Sequence, residues 1–177
     1  VVVAPVREPS GAFTSAANTT RIFPASTCVS ERAGAQRYTD ASPATAYVGL
    51  NYAARQPCPS ATLMPLTSDR NALNTRISGL TTGGSTAGHI GLAWGWYMIS
   101  PNWGSLFPAD SRGAAYGARE TLKIVVMMTD GAFNTAYCDG VVSRDSTNGS
   151  SSDHINCDAT NGQPFPQASH LCDAMKQ

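Results

Sequence analysis

The chain has 177 residues, 42% of them hydrophobic and 14% charged, which is enough for one domain with an apolar core and too apolar for a disordered chain. Twelve basic residues balance twelve acidic ones and no stretch clusters Lys or Arg, so a phosphate-tracking nucleic-acid surface is excluded. No apolar run approaches the ~20 residues of a membrane span, so no membrane contact is expected of this segment.

The first element in chain order is "VVVAPV", residues 1–6, which reads as a short buried strand. From Arg7 to Ala61 the sequence is rich in Pro, Ser, Thr, Ala and Asn without a sustained period of 2 or 3.6, the pattern of a long loop insertion with little regular structure. "MPLTSDRNALNTRISGL" then predicts a helix capped by Thr67 or Ser68, with Leu66, Leu73, Ile77 and Leu80 on one face and Gly79 near its end. "TTGGSTAGHIGLAWGWYMISP" is a Gly-rich turn entering a second helix, with Ala87, Ile90, Trp94, Tyr97 and Met98 facing a core and Pro101 stopping it. "TLKIVVMMTDG" reads as a buried strand from Leu122 to Thr129 that ends on Asp130 and Gly131. A second loop insertion covers residues 138–163, and a last helix runs from about Gln167 to Lys176. This order predicts an α/β fold: an open, mostly parallel sheet with helices on both faces, carrying a long disulfide-stapled loop insertion, in one domain over residues 1–177.

Five cysteines, Cys28 and Cys58 in Pro/Ser/Thr-rich loop sequence and Cys138, Cys157 and Cys172 in a second polar region, point to disulfides and an oxidising compartment. A bridge from Cys28 to Cys58 would close about 30 residues and, in the chain-entropy model, stabilise by roughly 3–4 kcal/mol. A second bridge is expected among Cys138, Cys157 and Cys172, with Cys138 to Cys157 favoured because both lie in one loop. The competing reading is a zinc site from Cys138, His154, Cys157, His170 and Cys172, which lacks a Cys-x-x-Cys pair to anchor it.

In parallel sheets the loops at the carboxyl ends of the strands carry the site. Asp130 stands at such an end. In the turn "GGSTAG", Gly83 and Gly84 free the backbone while Ser85 and Thr86 present hydroxyls at a helix start. A carboxylate and hydroxyls from separate loops suit a hard cation such as octahedral magnesium. The bland alternative is that Asp130 caps the next turn.

These residues resemble a known family. A Gly-Gly-x-Thr turn opening a helix, followed by an apolar strand ending in Thr-Asp-Gly, resembles the von Willebrand factor A domain and its metal-ion-dependent adhesion site. The strings "MPLTSDRNALNTRISGLTTGGSTAGHIGLAWGWYMISPNWGSLFP", "MMTDGAFNTAYCDG" and "SSDHINCDATNG" are similar, more narrowly, to the A domain of TadG-type proteins of bacterial tight-adherence pilus systems. The similarity runs from about Cys28 to the end. It implies a cell-envelope protein, periplasmic or at the cell surface, that is anchored by an upstream membrane helix and binds a protein partner in pilus assembly or adhesion. It also implies metal ligation by Thr86, which has the motif's Leu92 six positions on, with Ser85 as the near alternative, and by Asp130. The family's Asp-x-Ser-x-Ser element is missing; "DASPA" at Asp40 to Ala44 lacks the last serine and the strand context. Magnesium is therefore expected to bind weakly or not at all. The resemblance further implies a domain continuing beyond both ends of this sequence.

Enzyme motifs are absent: there is no Gly-x-Ser-x-Gly, Walker A loop or Gly-x-Gly-x-x-Gly. The expectation is a non-enzymatic module. The alternative is a secreted metal-dependent hydrolase with His89, near the Thr86 loop, as its base; packing is the commoner fate of such a helical histidine.

Overall fold

The computed structural model describes residues 10–15, 17–24, 26, 28–52, 60–83, 85–129, 131–138, 141–142 and 158–177. The organising element is "GHIGLAWGWYMI", apolar or small on nearly every side, and a helix of that kind is stable only when surrounded. It forms α2 (Gly88–Ile99), following α1 (Arg70–Ser78) in the chain. On one side Leu92 and Trp96 meet Ala168 and Leu171 of α3 (Pro164–Met175). On another, Tyr97 stacks flat on Trp103 with ring centroids 4.0 Å apart, and Trp94 meets both rings edge-on. Trp103 belongs to the 3₁₀ turn Pro101–Leu106, which begins where Pro101 prevents α2 from continuing. The Ser100 side chain caps that turn by accepting the Asn102 N–H. The buried face of α2 is thus set by Gly88, His89, Leu92, Trp96 and Tyr97, turned from the predicted stripe, while Ile90, Trp94 and Met98 are half-buried.

Against the third side of α2 lies the segment 121–129. Gly95 and Gly91 make room for it: a Cβ at Gly95 would sit 2.9 Å from Val125, and one at Gly91 would touch Met127. Lys123 donates to the carbonyls of Ile99 and Ala114, fastening the segment to the carboxyl end of α2. Lys123 and Val125 are half-buried, whereas Leu122, Ile124, Val126 and Met128 are exposed. Exposure alternates from Leu122 to Val126 as in a strand, but no described strand pairs with this segment. Among the described residues no backbone–backbone hydrogen bond involves residues 122–129.

That overturns the predicted open, mostly parallel sheet with helices on both faces. The described strands form only two antiparallel pairs: β1 (Ser10–Thr14) with β2 (Thr20–Pro24), and β3 (Tyr137–Cys138) with β4 (Val141–Val142). The physical reason is that β-prone composition makes a chain extended, while a sheet requires another strand in the same plane to take its N–H and C=O groups. The predicted strand at residues 1–6 lies outside the described residues.

The stretch taken as a loop insertion, residues 7–61, also departs from expectation. It contains the β1–β2 hairpin, in which Phe13 packs against Phe23 and Tyr52. The connection turns at Asn18, whose φ of 63° is left-handed and tolerated by asparagine, with the Ser15 hydroxyl bonded to that of Thr19. Further on, Arg32 is buried and Asp40 half-buried against α2 and its 3₁₀ extension, so this stretch builds the body instead of decorating it.

The predicted disulfide staple is not shown, because Cys58 and Cys157 lie outside the described residues. Cys28 and Cys138 are oxidised, and Cys172 is a free thiol. An oxidised Cys138 cannot serve as a thiolate ligand, which removes the zinc alternative, and His154 too lies outside the described residues.

α1 forms where predicted, but Asp69 caps it, accepting the N–H groups of Asn71 and Ala72 at 2.9 and 3.0 Å. Thr67 accepts the Asp69 N–H instead. No residue of α1 is buried: its apolar face, Leu73, Ile77 and the following Leu80, is exposed.

Candidate functional site

The Gly-rich turn before α2 is held against the chain that follows Asp130. The Thr86 N–H donates to the Asn134 side-chain oxygen at 2.8 Å, and the Thr86 carbonyl accepts the N–H groups of Asn134 and Thr135 at 3.0 and 3.2 Å. Thr135 donates its own hydroxyl to the same Asn134 oxygen at 2.9 Å. Phe133 closes the junction beneath: a Cβ on Gly88 would lie 2.1 Å from its ring, so only glycine permits this approach. Ser85 and Thr86 are half-buried, and neither hydroxyl is engaged among the described residues. Asp130 lies outside the described residues, flanked by Thr129 and Gly131, whose N–H donates to the Thr129 hydroxyl.

For magnesium, the described part of this junction supplies two hydroxyls and no carboxylate. A magnesium site is ordinarily bound through one or two carboxylates with waters. The described residues alone therefore do not make a cation site, and among them no group of three or more His, Cys, Asp or Glu residues comes together.

A second polar centre lies at the carboxyl-terminal half of α2. The Arg32 guanidinium donates to the carbonyls of Thr39, Ala41 and Ala46 at 3.2, 2.8 and 2.9 Å. It also lies over the rings of Tyr97 and Trp103, at 5.2 and 5.1 Å from their centroids. Asp40 Oδ2 accepts from Ser100, Asn102 and Tyr116, while the Asp40 carbonyl accepts the Trp103 indole N–H at 3.0 Å. Asp40 is thus spent on structure. The string "DASPA" carries no metal motif.

Glu31, beside Arg32, accepts from the Tyr137 N–H and from Asn161. His89 Nε2 lies 3.4 Å from the Glu31 carboxylate but is misaligned for a hydrogen bond, and neither ring nitrogen has such a partner among the described residues. These groups border a cavity of about 20 Å³, also lined by Tyr38, Trp94 and Tyr97, which has room for about one water. With its ring 1% exposed and walled in, His89 cannot reach a substrate at the Thr86 junction.

Burial raises the phenol pKa of Tyr97, Tyr38 and Tyr116, and raises that of Tyr137 to about 12, helped there by the Glu31 charge. Burial lowers that of Arg32, against the favourable field of Tyr97 and Asp40. Every one of these tyrosines is neutral at physiological pH, so the centre offers no ionised phenol as nucleophile or base.

Glu31, Arg32 and Asn134 were not singled out from the sequence. The available signal for the first two was an adjacent Glu-Arg pair in a chain with few charges. Asn134 left none, because it acts on backbone amides. Comparisons with family models, with curated proteins and with solved structures give no match.

Proposed function

We propose that this chain is a non-enzymatic adhesion or assembly module of the bacterial envelope, which binds a partner protein at the junction of the Ser85–Thr86 turn with the loop after residue 129. The observation that carries the reading is the Thr86–Asn134 lock, which brings the Gly-rich turn within hydrogen-bond distance of the chain that has just left Asp130. Two free hydroxyls there, with Asp130 as the missing carboxylate, would take a magnesium ion whose open position accepts a partner's carboxylate. The resemblance of the quoted strings to TadG-type proteins supports the envelope setting, as do the oxidised Cys28 and Cys138. A cavity with room for one water, and a walled-in His89, give the hydrolase reading no support.

The test is titration calorimetry with magnesium up to about 10 mM, beyond the range of weak extracellular cation modules, on the wild type, Thr86→Ala and Asp130→Ala. Weak binding abolished by either substitution is expected. Binding that survives both would move the site elsewhere, and a wild type silent throughout would end the metal-dependent form of the reading.

A further inference from the structure

Of the five buried side-chain polar atoms that have no hydrogen-bond partner among the described residues, four belong to Arg32, His89 and Trp94. They are Arg32 Nε, both ring nitrogens of His89 and the Trp94 indole Nε1. All three residues border the one cavity of about 20 Å³, and Arg32 and His89 are only 3% and 1% exposed. Their contacts draw them together. The Arg32 guanidinium lies over the Tyr97 ring, Trp94 meets that same ring edge-on, and His89 Nε2 is 3.4 Å from the carboxylate of Glu31, the residue before Arg32. A buried donor without an acceptor is costly, so several of them around one cavity call for a shared partner.

We propose that this cavity is a binding site for one internal water molecule, which joins α2 to the segment 30–38. The chemistry of the wall selects the occupant. Guanidinium and indole N–H groups can only donate, so the occupant must accept two hydrogen bonds, which an ammonium group or a metal cation cannot do beside the Arg32 charge. The Glu31 carboxylate on the same wall repels an anion such as chloride and calls for a donor. What remains is neutral, about one heavy atom in size, and both donor and acceptor. Water accepts from Arg32 and Trp94 and keeps its hydrogens for Glu31 and a ring nitrogen of His89. Two to four polar partners hold a buried water, and this wall offers four. His89 stands in the first turn of α2, so the water ties the start of that helix, just after the Ser85–Thr86 turn, to the segment 30–38.

Nuclear magnetic resonance on the isotope-labelled protein tests this through its three indole N–H groups. Trp103 donates to the Asp40 carbonyl and serves as the internal reference. The Trp94 indole signal, identified by its loss in Trp94→Phe, should show cross-peaks to water of opposite sign in laboratory-frame and rotating-frame Overhauser spectra, the signature of a water held longer than the molecule takes to tumble. The Trp103 indole should show none. Ala93→Val, which adds volume at the cavity wall, should abolish the Trp94 cross-peak and lower the water-oxygen relaxation dispersion by about one long-lived water. A Trp94 indole that lacks the cross-peak, or shows it with the same sign in both spectra, overturns the proposal on the wild type alone. So does a folded Ala93→Val whose dispersion equals that of the wild type.

Discussion

The polar centre around Arg32 and Asp40 and the extended segment 121–129 both lie against α2, yet they are built on opposite principles. The Arg32 guanidinium finds three carbonyls and two aromatic faces, its Nε excepted, and the neighbouring Trp103 is fully enclosed. From Leu122 to Val126 exposure alternates as in a strand, yet the backbone of 122–129 has no backbone partner among the described residues. The more strongly apolar region is thus the less structured one. Hydrophobic composition selects an extended chain, whereas satisfied polar groups and enclosed rings fix a unique arrangement.

Substitutions on the two sides should separate sharply. Trp103→Ala removes a fully buried indole stacked on Tyr97 and hydrogen-bonded to the Asp40 carbonyl. A loss of about 3–5 kcal/mol in urea unfolding is expected, enough to unfold a marginal domain. A loss under about 1 kcal/mol would show that the aromatic stack is not part of the cooperative unit.

The alkaline limb gives the next largest effect. The Tyr137 phenol is raised to about 12 in the fold, from 10 when unfolded. Its contribution is fully present below pH 10 and is lost as pH climbs through about 12, because the unfolded chain releases its proton first. The stability lost across that window is about 2–3 kcal/mol from this group, and Tyr137→Phe should flatten it in pH-dependent denaturant melts. An unchanged limb in the variant would assign the effect to Tyr97, Tyr38 and Tyr116 alone.

The smallest effect belongs to the exposed face of segment 121–129. Ile124→Gln, on a side chain 64% exposed, should leave stability within about 0.5 kcal/mol. A loss comparable to that of Trp103→Ala would mean that this face is covered, and the contrast would collapse.

Much of the helical framework was legible in the sequence. Pro101 marked the end of α2, and the last helix was placed within a few residues of its observed span, Pro164–Met175. Helical signals are local, so one segment carries them. The segment 121–129 was legible as extended and misread as part of a sheet, because strand pairing depends on partners its own sequence does not encode. The β1–β2 hairpin escaped notice because Ser, Gly and Thr dilute its alternation, leaving Phe13 and Phe23 as its main apolar anchors. At the candidate site, the Gly-rich turn and its hydroxyls were visible. Asn134 was not, since a side chain that serves backbone amides has no fixed sequence spacing from them.

Gly88, Gly91 and Gly95 carry a consequence for how the molecule assembles. Each glycine within a helix costs roughly 0.5–1 kcal/mol relative to alanine, so a twelve-residue helix holding three of them has no helical life of its own in water. It must be wound in place while Arg32 and Asp40, some 60 residues upstream of its end, close over its carboxyl-terminal half. Those contacts are long in sequence, and loop closure precedes their reward, so the rate-limiting step of folding is expected to be this long-range capture, with α2 acquiring its helicity only as the loop arrives.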